Sequence, residues 1–118
     1  MAEPSDSSLQ FEKQLYSYSD AGIRIDIRLG FQGESLKLDG YDIGEKVKAI
    51  LGDSDYEYSI TVGGEDLEKL YRVSGIEVGR KAELVELLAA KFNTHEAFSR
   101  FKDHLTANEI QCGVFTWA

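Results

Sequence analysis

The sequence predicts an α+β domain: a mainly antiparallel sheet of four or five strands packed on helices, in the order β-β-β-α-β-α-α-α-β. Two runs of alternation and a change of period carry that reading. Ile23, Ile25, Ile27 and Leu29 alternate with Arg24, Asp26 and Arg28. Tyr56, Tyr58, Ile60 and Val62 likewise alternate with Glu57, Ser59 and Thr61. A period of two is what a strand shows when it buries one face. After Gly63-Gly64 the apolar residues recur three and four apart, which is the period of a helix stripe.

Taken in order, residues 1–8 contain Pro4 with small and acidic neighbours and read as a flexible tail before a single domain over 9–118. Gln10 to Ser19 reads as a first strand, although Phe11, Leu15, Tyr16 and Tyr18 do not keep one parity. Asp20-Ala21-Gly22 is a turn into the Ile23–Leu29 strand. Gly30-Phe31-Gln32-Gly33 supplies a hairpin turn, and Leu36 and Leu38 continue as a shorter third strand. Ile43, Val47, Ile50 and Leu51 then share one helix face over 43–51. Asp42 is the expected N-cap, Glu45 stands at N3 and Gly52 follows the end.

Asp53 to Asp55 make a turn into the strand at 56–62. Glu65 and Asp66 open the next helix, where acids complement the positive end of the dipole, and Leu67, Leu70 and Tyr71 form its buried stripe. Ser74-Gly75 ends it, and Ile76 and Val78 form a brief extended link. Leu84, Leu87, Leu88 and Phe92 give the inward face of a helix over 80–92. Phe98, Phe101 and Leu105 do so for one over 95–107, with Asn93 and Glu96 as its capping pair. Residues 110–117 read as a closing strand. Burying Phe115 and Trp117 is worth several kcal/mol at about 25 cal/mol per Å², so this tail is expected to dock into the sheet. One face of the sheet is expected to stay wet, because Arg24, Asp26, Arg28, Glu57, Ser59 and Thr61 are polar.

The 118 residues carry 21 acids and 13 bases, a net charge of −8 that is unevenly placed. Residues 34–66 hold nine acids against three lysines, a net of −6, whereas 67–118 balance at seven and seven. Such a surface repels phosphate backbones, so no nucleic-acid partner is expected. No apolar run reaches the 18 residues of a membrane span, and the N-terminus lacks the apolar region of a secretory signal. A lone cysteine, Cys112, forms no internal disulfide, which fits a cytoplasmic setting.

Catalytic and metal chemistry find little support. Asp53-x-Asp55-x-Glu57 has the alternating acids of a calcium loop, but the required glycine at position six is Tyr58 and the glutamate at twelve is Gly64. His95 and His104 do not share a helix face, and Cys112 has no partner at zinc spacing. They read as a surface residue, a helix C-terminal cation and a small residue on a buried strand face. Nothing selects Cys112, His104 and Asp103 as a nucleophilic set. Gly63-Gly64-Glu65-Asp66 puts acids where a phosphate would sit. No cofactor, metal or catalytic residue is expected.

The stretch GYDIGEKVKAILGDSDYEYSITV resembles a signature of small acidic bacterial proteins of unassigned function. In these a glycine-aspartate helix leads into a GDSDYEY-type strand, and a tail with Phe or Trp closes the chain. The resemblance spans roughly residues 23–117 and implies a fold and a bacterial source, not an activity.

What remains is a surface of acids and tyrosines, residue types suited to docking a protein. Asp53, Asp55, Glu57, Tyr41, Tyr16 and Tyr18 are the candidate contact residues. Tyr56 and Tyr58 share the parity of Ile60 and Val62, which turns them toward the core. The function expected is that of a non-enzymatic interaction protein receiving a basic protein partner, as immunity proteins of toxin pairs do. The alternative is a small ligand binder or enzyme with its site between sheet and helices, where Arg24, Arg28 and Glu57 would line one end. Homodimerisation through the polar sheet face or an edge strand is a third possibility.

Overall fold

The computed structural model of the chain describes residues 9–44 and 55–117. Five strands, β1 (Gln10–Asp20), β2 (Ile23–Gln32), β3 (Ser35–Ile43), β4 (Asp55–Val62) and β5 (Gly113–Trp117), form one sheet in sequential order. Every neighbouring pair is antiparallel, so the α+β class holds and the sheet is wholly rather than mainly antiparallel. Helices α1 (Gly64–Ser74), α2 (Lys81–Lys91) and α3 (Ala97–Ala107) lie between β4 and β5 in sequence and cover one face of the sheet.

The strand parities decide which face. Ile27, Leu29, Phe31, Leu36, Leu38, Ile60 and Val62 are buried against Leu70, Leu84, Leu88, Phe101 and Leu105 of the helices. The broken parity of β1 has a cause. Its register against β2 shifts between Gln10 and Lys13 and again between Gln14 and Tyr16, so two bulges each re-aim the side chains that follow. Phe11, at φ 56, sits in the first bulge, and the second allows adjacent Leu15 and Tyr16 both to touch the core.

Several expected boundaries move. The β2–β3 turn is the Gly33-Glu34 pair, with Gly33 at φ 62, and Gly30 to Gln32 remain in strand. Gly30 serves a close approach instead: a Cβ there would stand 2.6 Å from that of Leu9. β3 is longer than expected because Asp42 and Ile43 continue its ladder with β4, so neither opens a helix. The rest of the helix expected at 43–51, with Gly52 and Asp53, lies outside the described residues. At α2 the inward face is Leu84, Val85 and Leu88, followed by Phe92. Leu87 is 37% exposed, because at about 100° per residue it falls off the side of that stripe. The cap expected from Asn93 and Glu96 is not made; the Glu96 amide donates to Thr94 Oγ1 at 3.4 Å.

The helix starting at Gly64 matches expectation. Glu65 and Asp66 occupy its first turn, Leu67, Leu70 and Tyr71 are buried, and Gly75 closes it in the left-handed conformation at φ 72. Asp66 also accepts a hydrogen bond from the Gln111 amide at 2.9 Å, and Lys69 Nζ donates to the Glu109 carbonyl at 3.0 Å. These contacts deliver the chain end to β4. It docks as the fifth strand, starting one residue after Cys112, but without the burial expected of its aromatics. Phe115 and Trp117 are each 55% exposed, because none of the three described helices covers the face on which they stand.

Candidate functional site

Antiparallel register places a row of side chains across the open face, opposite the helices. Ser17, Asp26, Tyr41, Glu57 and Trp117 are successive cross-strand partners from β1 to β5. The adjacent row is Gln14, Arg28, Asp39, Ser59 and Phe115. Directly opposed side chains stand about 4.5–5.5 Å apart at Cβ, so each row brings its side chains close together. Between them lies a concavity of about 480 Å³ lined by Glu12, Asp26, Arg28, Asp39, Gly40, Tyr41 and Glu57. Ser59, expected to be wet, is only 7% exposed where it stands between Asp39 and Phe115 in its row.

Four carboxylates and one guanidinium make the lining net −3. The guanidinium is committed: Arg28 Nη1 donates to Glu12 Oε1 at 2.9 Å and Arg28 Nε to both Asp26 oxygens at 3.1 Å. Gln14 Nε2 adds a bond to Asp26 Oδ1 at 3.1 Å. Burial pushes the Asp26 carboxyl up, but the Arg28 and Gln14 hydrogen bonds outweigh it and hold the group below the usual carboxylate range. Asp39 is the opposite case. Burial lifts it above that range, Lys37 pulls it down only in part, and Glu12 adds to the rise. Neither Asp39 nor Glu57 makes a hydrogen bond or contact ion pair among the described residues. The concavity therefore holds two carboxylates without a hydrogen-bonded partner among the described residues.

The floor is built from the other side of the sheet. Gly40 faces the core opposite Tyr58, and a Cβ on Gly40 would lie 1.9 Å from the Tyr58 ring. The ring is held edge-on by Phe98 at 5.2 Å, and its hydroxyl donates to Asp42 Oδ1 at 2.8 Å. Burial raises both groups, Tyr58 further through the neighbouring Asp42 charge, and Asp42 less because it accepts that bond.

The six candidate residues divide between the two faces. Tyr41 and Glu57 are cross-strand partners on the open face and line the concavity. Tyr16 and Tyr18 oppose Ile27 and Ile25 on the helix-side face of the sheet. The Tyr16 ring lies 6.0 Å from that of His95, and the Tyr18 hydroxyl donates to Asp20 Oδ2 at 2.7 Å. Asp55 opens β4 opposite Ile43, and Asp53 lies outside the described residues. Glu12, Asp26 and Asp39, which are not among the six, also line the concavity. Asp26 shares the parity of Arg28 on β2 and Asp39 that of Tyr41 on β3, which was the available signal, whereas the bulges of β1 hid Glu12, and only the register joins the three to Glu57.

The remaining chemical groups stay apart. His104 is partly buried with its ring 5.5 Å from that of Phe92, and burial and Lys91 hold it below the usual imidazole range. It stands in the last turn of α3 as expected, where burial and Lys91 disfavour its charged form. Among the described residues no three His, Cys, Asp or Glu side chains come together as a metal cluster, and no helix is long and apolar enough to cross a membrane. Comparison of the chain with protein-family models, curated proteins and solved structures finds no match.

Proposed function

We propose that this chain is a non-enzymatic binding protein, of bacterial origin, whose open sheet face receives a basic protein partner in the manner of an immunity protein. The observation that carries the reading is the pair Asp39 and Glu57. They lie in a concavity whose lining counts four acids and one already committed arginine, and neither makes a hydrogen bond or contact ion pair with a described residue. Tyr41 and Trp117 flank Glu57 in the same row. An arginine or lysine entering there meets a carboxylate between two aromatic rings, which suits a cation twice over. Acidic charge on the surface would also speed encounter with a basic partner and make it salt-sensitive.

The test is affinity capture from a bacterial lysate on immobilised wild type and on the Asp39→Asn/Glu57→Gln double variant. A basic protein held by the first, released by salt and not retained by the second is the expected result. Equal retention by both proteins would place the contact elsewhere and defeat the assignment.

A further inference from the structure

The two edges of the sheet are unlike. β1 is a protected edge: two bulges break its register and Phe11 sits at positive φ. Charged Glu12 and Lys13 punctuate it, the latter 3.8 Å from Glu86 of α2. Bulges and charges are the usual devices that prevent a sheet edge from pairing with another chain. β5 has neither. Gly113–Trp117 contains no charged residue and no proline, and its register with β4 runs without a shift. It is the last strand in the sheet, and no described residue pairs with its outer side.

Its side chains, Thr116 apart, are apolar, and they are exposed on both faces. Val114 is 45% exposed on the helix side, and Phe115 and Trp117 stand on the open side. An edge of this composition is a template for strand addition.

We propose that β5 pairs antiparallel with β5 of a second copy of this chain, about a two-fold axis at Phe115, joining the two five-stranded sheets into one. The strand is complementary to itself in that register. Trp117 falls opposite Gly113 of the second copy, Val114 opposite Thr116, and Phe115 opposite Phe115, with every pair on a common face. The space above Gly113 is open, since a Cβ built there finds no nearer atom than the Thr61 carbonyl oxygen at 4.0 Å. An indole laid across a strand glycine repeats a device already used inside the molecule, where the Tyr58 ring covers Gly40.

Charge also selects this seam. A chain of net −8 repels its own copy over most of its surface, whereas an uncharged strand brings no like charges face to face. A two-fold contact uses one patch on both partners and closes on itself, so the product is a dimer and not a filament. Phe115 and Trp117 stay on the open face after pairing, so the dimer presents two acidic concavities on one continuous surface.

The test is the mass of the full chain in solution across a wide dilution series, with the Phe115→Lys variant in parallel. Wild type is expected to approach twice the monomer mass at high concentration, and Phe115→Lys to remain monomeric with an unchanged circular dichroism spectrum. Register is tested by mild oxidation of Phe115→Cys in a Cys112→Ser background. Opposed residues of an antiparallel pair lie about 4.5–5.5 Å apart at Cα, a separation a disulfide spans. A covalent dimer should form there and not at an exposed control, Leu87→Cys. A wild-type chain monomeric at every concentration overturns the proposal. So does a dimer that survives Phe115→Lys, or one that cross-links no better at 115 than at the control.

Discussion

Burial holds the Asp39 carboxyl above the usual range despite Lys37, so the ionised form is less favourable in the folded chain than in the unfolded one. A carboxylate with a raised folded pKa costs stability above that pKa, and the cost disappears as pH falls through it. Asp39→Asn is therefore expected to raise the melting temperature at neutral pH, with the gain shrinking on acidification. If the proposed docking holds, the same variant should weaken capture of a basic protein. Asp26 has the opposite sign: its folded pKa is depressed, so its contribution is present above the unfolded pKa and lost as pH falls through the folded one. Melting curves of wild type, Asp39→Asn and Asp26→Asn against pH separate the two. Gly40 tests the floor of the site. Gly40→Ala drives a methyl into the Tyr58 ring and should cost about 1–3 kcal/mol in denaturant unfolding. Removing the ring should relieve much of that cost, so Gly40→Ala and Tyr58→Ala are expected to be non-additive.

At the scale of elements, α2 gives a direct check on which stripe faces the sheet. Leu88→Ala empties a fully buried position and should cost about 2–5 kcal/mol, whereas Leu87→Ala should stay within about 0.5 kcal/mol. Urea unfolding of both variants decides it. Alternation in 23–29 and 56–62 disclosed the faces of β2 and β4, and Glu65, Asp66 and Gly75 disclosed both ends of α1. Local pattern could not reveal the bulges of β1, because these arise from pairing with β2. It also could not foresee that Asp42 would pair along β3, where ladder hydrogen bonds and the Tyr58 hydroxyl override its capping propensity. The site was half legible for the same reason. Tyr41 and Glu57 stood out by type, but a distance of sixteen residues became a direct contact only through the register of β3 on β4. Tyr16 and Tyr18 looked like their companions and stand on the other face.

Over the whole molecule, the helices seal one side of the sheet and leave a concavity whose lining is net −3 on the other. If that open face is the docking surface, binding must follow its carboxylates and not the total charge of −8. The sole tryptophan, Trp117, stands beside Glu57 and reports on the site without a label. The most direct measurement is its fluorescence during titration with an arginine-rich peptide, for wild type, Asp39→Asn/Glu57→Gln, and Glu65→Gln/Glu68→Gln on α1. All three titrations are run at low and high salt. A saturable change is expected for wild type and for the α1 variant, weakened by salt and abolished in the open-face variant. An equal response from the open-face variant, or none from wild type, would contradict it.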